Sequence, residues 1–428
     1  MRGKIPPIAA GALLLIWPAF ANGYPLLFSD SAAFIAQLLQ PTMLWDKPFV
    51  YGPVVVVASL TVTLWLPAVA QGGLLSWVLW RVQGVFGEAS AAWHLGLCGF
   101  LALASAAPWF APMLMPDIFA PIVVLALFVL AFQPDGERRW PWVVTATFGI
   151  AAHLAHLPLA AACAVPILWL RPHRFVCAIT PLALAIAILL TTNVIGHGRF
   201  SVSPYGSVFV LSRLTTDGPA RDFLATVCPD PNFRLCNWVG RFPADSDAFM
   251  WDGKGPVWSY PGGPIGLAPE ATRIVAGTVR SRPLAVMRSA ADNMVQQLMT
   301  VRVGRTFGDF GYDRRIGDRL RAHYPAWELA GFMASAQRRD GLRAMAEPWQ
   351  GLHAGFAAAG SALSLVLLIR ARRRDRLLFG FTLLVAVGLL ANAFTTGVLS
   401  GPTDRYQARI AWLVLLPPFL WVMRLRGR

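Results

Sequence analysis

Four groups of polar residues stand beside long apolar runs in this 428-residue chain, and their types could do chemistry. The first is Asn22-Gly23-Tyr24-Pro25-Leu26-Leu27-Phe28-Ser29-Asp30-Ser31, in which Asp30 sits between two serines just after the first apolar segment. A charge near a bilayer is expensive unless something uses or pairs it. A partly desolvated aspartate makes a suitable general base, because burial raises its proton affinity and a base must stand close to the proton it removes. The structural alternative is a helix cap: Ser29, Asp30 or Ser31 could cap a helix that begins near Ala32. The second group is Met115-Pro116-Asp117, a carboxylate at the head of another apolar run, where a capping role is again the alternative. Together Asp30 and Asp117 would offer paired carboxylates for catalysis or for a divalent metal with oxygen ligands. No other cofactor is suggested.

His153 and His156 form the third group, spaced i,i+3 and so on one face if a helix continues through them. They would contact substrate or metal, or else act as packed, hydrogen-bonded histidines; they do not belong to a HExxH zinc motif. The fourth group is Asp404-Arg405-Tyr406-Gln407-Ala408-Arg409, unusually polar for a loop against an apolar run. The guanidinium fork suits phosphate or carboxylate, which makes Asp404, Arg405, Tyr406 and Arg409 candidate substrate contacts. The alternative is an arginine pair that anchors a helix among lipid headgroups. No P-loop, GxGxxG or GxSxG constellation is present in its proper context.

The elements that must position these residues follow from composition. Hydrophobic residues make up 56% of the chain and charged residues 14%, against about 25% charged in soluble domains. A mainly α, polytopic membrane protein is therefore expected. The formal net charge of +15 does not imply nucleic acid. Arg2, Lys4, Arg138, Arg139, Arg171, Arg174, Arg370, Arg372, Arg373, Arg374, Arg376, Arg424, Arg426 and Arg428 lie in short tails and loops beside apolar runs, the pattern that reports orientation.

With about 20 apolar residues needed per crossing, the runs place spans at about 8–22, 67–87, 90–108 and 117–133. Two short helices share 141–170, with an outer turn at His153–Pro158, and a further span covers about 175–195. The last three lie at about 351–370, 377–397 and 409–424, with an outer loop from Thr395 to Arg409. That makes about ten spans with both termini cytoplasmic, and every Arg-rich short loop then faces inward. The chain divides into an N-terminal transmembrane module (1–195, with a first outer loop at 23–52), an extracytoplasmic domain (196–350) and a C-terminal transmembrane module (351–428). In the first loop, Ser31 to Leu39 has helical spacing and would lie along the interface; Ala271 to Leu298 is amphipathic. Met1 to Ala21 also resembles a signal peptide, but an uncleaved first helix closes the topology. Cys98, Cys163 and Cys177 fall in apolar runs. Cys228 and Cys236 fall in the long polar segment and are expected to form a disulfide if it faces an oxidising compartment.

With an acidic residue in the first outer loop (Asp30), a second in the next outer loop (Asp117), a juxtamembrane helix in the first loop and a soluble outer region, the chain resembles the GT-C superfamily of integral membrane glycosyltransferases. The layout covers the first ~200 residues. Asp30-Ser31 replaces the Glu-x-Asp or Asp-x-Asp of several branches. The resemblance implies a polyprenyl-phosphate or polyprenyl-diphosphate sugar donor, and a glycan, lipid or protein acceptor. It also implies a multi-pass location in a bacterial-type inner membrane, with transfer on the periplasmic, cell-envelope face. Asp404-Arg405-Tyr406 lies where such enzymes place donor-phosphate contacts. Two other classes compete: a transporter that uses the carboxylates and histidines as a proton or ion relay, and a non-catalytic envelope assembly protein that uses its outer domain as an adaptor.

Overall fold

A computed structural model of the chain describes residues 4–87, 89–308 and 313–426. Arg2 and Arg428 lie outside the described residues. Among the described residues, 77% are helical and no strand forms. Apolar runs of this length can satisfy their backbone groups in hydrocarbon only by coiling on themselves. Among the described residues four helices are long and apolar enough to cross a membrane: Pro172–His197, Gly341–Arg374, Arg376–Leu399 and Asp404–Arg426. Shorter apolar helices at Ile5–Leu15, Ala91–Ala104, Pro116–Phe132 and His156–Leu170 pack among them.

The central pole is the stretch Phe119–Phe132, in which every side chain is buried. A helix that is apolar all round belongs inside other protein, and this one carries Asp117 at its head. Glycines let neighbours close on it: a Cβ on Gly149 would meet Val123, and one on Gly388 would meet Val124, each at 2.8 Å. The outermost helices are different. Pro172–His197 has only 22% of its apolar window buried, and Val176 and Ile195 are 71% and 81% exposed. Apolar faces that large need a nonaqueous neighbour, which fits a membrane protein.

A second, smaller core lies between Tyr205 and Ile274, built on Val208, Leu211, Phe249, Leu267 and Ile274. Beside it Cys228 and Cys236 are joined in a disulfide, as their polar setting predicts. Residues Val303, Phe307, Leu320, Phe332 and Leu342 pack into the larger core instead. Trp45 of the first loop stacks on Phe209 and tilts against Trp251, with ring centroids 5.3 and 5.8 Å away, which joins that loop to the smaller core.

The loop helix expected from Ser31 to Leu39 forms over those residues. Three local expectations need revision. The amphipathic stretch is two helices, Gly263–Ser281 and Pro283–Met299, because Pro283 cannot donate to the preceding turn but fits well at the start of a helix. The turn between the two short helices spans residues 152–155, so His156 and Pro158 belong to the second helix. The loop expected from Thr395 to Arg409 shrinks to residues 400–403. Arg376–Leu399 runs on, and a new helix starts at Asp404, whose charge suits a helix N-terminus.

Candidate functional site

The first loop is fixed from both sides. Leu114 N donates to Leu26 O at 2.9 Å, and Ser31 Oγ accepts from Phe28 N and donates to Leu114 O, both at 2.9 Å. Behind it, Gln337 Nε2 donates to Leu27 O at 2.6 Å and Gln337 Oε1 accepts from Leu27 N at 3.1 Å. Tyr24 Oη donates to Glu328 at 2.5 Å, and Leu64 N donates to the same oxygen at 2.8 Å. The loop after residue 110 is held by Gln71, whose Nε2 donates to Ala111 O and Met113 O at 3.0 and 2.8 Å. Asp30 and Asp117 thus sit on backbone segments that are bonded to each other and buttressed by buried polar side chains. Satisfied networks of this kind rigidify a site.

The helix from Asp404 places Arg405 and Arg409 one turn apart on one face. Both reach Asp117: Arg405 Nη1 lies 3.4 Å from Oδ2 and Arg409 Nη1 3.3 Å from Oδ1. Asp117 is 1% exposed and Arg409 fully buried, so this is an interior ionic cluster. Asn392 completes it: its Oδ1 accepts from Arg409 Nη2 at 3.1 Å, and its Nδ2 donates to Tyr406 O and Gln407 Oε1 at 2.7 and 2.9 Å. Gln297 grips the Thr403 backbone through both its N–H and its carbonyl, at 3.0 and 2.8 Å, and so fixes the start of the helix. Arg405 stacks over Phe28 with its guanidinium carbon 4.1 Å from the ring centroid, and Tyr406 lies between Arg405 and Arg409, at 5.0 and 5.3 Å. The fourth group and the first loop are therefore in direct contact. Two guanidinium groups share one carboxylate, which leaves the Asp117–Arg405–Arg409 cluster with one more positive than negative charge.

Asp30 does not cap its helix through its side chain. It faces Lys47 instead, with Nζ 3.4 Å from Oδ1, and Lys47 also pairs with Asp46. Burial alone would lower the pKa of Lys47; Asp30 and Asp46 override it and hold the ammonium above its usual value. The Asp30 carboxylate is 36% exposed, the more reachable of the two predicted carboxylates. It also lies close enough to Arg405 to act on it electrostatically.

The imidazoles of His153 and His156 stand 5.2 Å apart although the helix does not continue between them. His156 Nδ1 donates to Gly149 O at 2.7 Å, and His153 Nδ1 accepts from Ala155 N at 3.2 Å. Burial holds the His153 imidazole well below its usual pKa, and His156, Arg409, Arg405 and Lys47 push the same way. His153 is therefore a neutral ring beside the cationic cluster. The predicted residues Asp30, Asp117, His153, His156, Arg405, Tyr406 and Arg409 occupy one end of the bundle, with Asp404 at the head of the same helix.

A divalent cation fits this donor set poorly. Both Asp117 oxygens face guanidinium groups, Asp30 faces an ammonium, and no three His, Cys, Asp or Glu side chains converge among the described residues. Sequence reasoning missed Lys47, Gln71, Asn392, Glu328 and Gln337. Of these, Gln71 and Asn392 carried a usable signal, since an amide inside an apolar helix is rarely idle. The chain matches no family model, no characterised protein and no solved structure.

Proposed function

We propose that the chain is a membrane glycosyltransferase of GT-C type that moves a sugar from a polyprenyl-phosphate or polyprenyl-diphosphate donor to an acceptor hydroxyl. The observation that carries this reading is the meeting of a net-positive cluster, Asp117–Arg405–Arg409, with an accessible carboxylate, Asp30, on mutually bonded loops. The donor phosphate docks on Arg405, the guanidinium at the cluster's edge, with 11% of its side chain exposed against none for Arg409. Fixed positive charge there stabilises the leaving phosphate as the glycosidic C–O bond breaks. Asp30 accepts the proton of the acceptor hydroxyl as its oxygen attacks the anomeric carbon. Direct displacement inverts that centre. Asp117, with its oxygens taken up by two guanidinium groups, aims the arginines and leaves the proton to Asp30. His153, neutral, is a hydrogen-bonding partner for sugar hydroxyls. A proton or ion relay would need its carboxylates unengaged, whereas Asp117 is doubly paired.

The orientation that goes with this reading has about ten spans, cytoplasmic termini and the site facing outward with the domain at 196–350. Single cysteines introduced at 254 or 259, which are exposed, should react with an impermeant maleimide from outside, and one at 136 should not. The reverse labelling pattern would refute the outward-facing site. Function itself is tested by sugar transfer from defined polyprenyl-linked donors in membranes that carry the protein. Arg405→Lys keeps a charge beside Asp117 but loses the planar fork and its stacking on Phe28. Donor KM should rise roughly tenfold, with a smaller change in kcat. An unchanged KM would remove the phosphate role from Arg405. Protein that is folded and inserted, yet transfers no sugar from any donor of either class, would sink the enzyme reading.

A further inference from the structure

At the other end of the bundle lies a second concentration of positive charge. From Asp117 the central helix runs to Phe132, about 20 Å at 1.5 Å per residue, so the two ends are well separated. There Phe132, Trp169, Arg171, Arg372, Arg376 and Phe379 enclose a cavity of about 350 Å³. A second cavity of about 950 Å³ shares Trp169, Arg372 and Phe379 and continues along Leu368 and Leu383, with Arg370, Arg373 and Arg374 at its polar side. Both volumes fall in the range of small-molecule sites.

The floor is preorganised. Arg171 lies over the Phe132 ring at 5.2 Å, and Trp169 packs edge-on to Phe379 at 6.0 Å. Gly380 lets the helices close beneath the cavity, since a Cβ there would come within 2.6 Å of Phe132 and 3.3 Å of Leu170. Three other arginines at this end have carboxylate partners: Arg174 and Arg139 pair with Asp135, and Arg424 with Asp375. Arg171, Arg372 and Arg376 form no ion pair among the described residues. Three cations with no ion pair among the described residues thus line one cavity, and its continuation sets an apolar wall of Leu368, Ile369 and Leu383 beside Arg370, Arg373 and Arg374. Trp169 and Ile369 on that side are 62% and 69% exposed.

We infer that this cavity binds an anionic glycerophospholipid, with the phosphate among Arg171, Arg372 and Arg376 and an acyl chain along Trp169, Leu368 and Leu383. Charge complementarity selects the headgroup, because basic pockets between membrane helices capture anionic lipid heads. The apolar extension selects a lipid over a soluble phosphate, since a free anion would leave that wall uncovered. In the proposed orientation the site opens to the cytoplasmic leaflet, away from the transfer site, but the binding does not depend on the glycosyltransferase reading.

The test is a lipid titration of the detergent-purified full chain, read by native mass spectrometry. Dioleoyl phosphatidylglycerol should bind at least tenfold more tightly than dioleoyl phosphatidylcholine. The R171Q/R372Q/R376Q triple variant should lose roughly tenfold of that affinity, and the single variant R372Q, on an exposed unpaired side chain, roughly threefold. The control K4Q/R138Q/R426Q removes equal charge from exposed positions outside the cavity and should bind the lipid within twofold of wild type. Equal binding of the two lipids overturns the proposal, as does an equal loss in the control, which would reduce the effect to general surface charge. Displacement of the lipid by equimolar glycerol 3-phosphate would show that a soluble phosphate suffices and would overturn the lipid assignment. If the triple variant fails to fold, R372Q against the control decides alone.

Discussion

Asp30→Asn should leave the protein folded and inserted while lowering sugar transfer by about 10²–10⁴-fold, the usual cost of losing a general base. Folding is spared for local reasons. The Asp30 side chain does not cap the helix that follows it, so a change of cap quality does not enter. Lys47 keeps Asp46 when the Asp30 charge is removed. Ser31, which ties the loop to Leu114, is untouched. The amide matches the carboxylate in size and still hydrogen-bonds, but it cannot take a proton at neutral pH. Asp30→Glu restores the base one methylene further out and should recover part of the rate. Transfer within twofold of wild type at matched protein levels would reduce Asp30 to a partner for Lys47. The discrimination is sharp because the structural contribution of such a part-exposed ion pair is small, roughly 0–1 kcal/mol.

How much of this was legible beforehand differs from residue to residue. Helical period and proline placement were enough to find Ser31–Leu39, the pair of short helices around His153, and the spans near the C-terminus. The residue types that could do chemistry were also visible, because a charge beside an apolar run costs energy that packing alone does not repay. The pairing was not visible. Asp117 meets Arg405 and Arg409 across separations of 288 and 292 residues, which no local pattern encodes. The segment from Asp404 read as a loop because its residues are polar. Polar residues at i,i+4 on a helix that turns them inward onto a buried partner give the same composition, and that is what forms. Glu328 and Gln337 lie in a stretch that reads as an ordinary soluble surface, yet both are buried against the first loop, 304 and 310 residues away. Lys47 was hidden by its neighbours, since Asp46-Lys47-Pro48 has the composition of a plain turn.

The ionic cluster itself should have the largest stability effect in the protein, and a double-mutant cycle separates its structural role from its catalytic one. Asp117→Leu leaves Arg409 fully buried with no carboxylate partner, beside Asn392, the Tyr406 ring and the repulsive Arg405. An uncompensated buried charge costs roughly 3–5 kcal/mol. Arg409→Met should cost less, because Asp117 retains Arg405, although Asn392 Oδ1 loses its donor. In the double variant the interior charges leave together, and apolar side chains of similar bulk take their place. Arg405, at the edge of the cluster, can turn toward polar surroundings. Such replacements are often neutral or stabilising, so the double variant should recover at least 2 kcal/mol relative to Asp117→Leu, a coupling at the upper end for side chains in contact. Chemical unfolding of purified protein in detergent micelles reads these differences. Sugar transfer should stay low in the restored double variant, because nothing then aims Arg405 at the donor phosphate. Additive losses in the cycle, or an Asp117→Leu variant within about 1 kcal/mol of wild type, would show that Asp117 does not hold the arginines. Full transfer by the stable double variant would show that the donor phosphate does not need them so held.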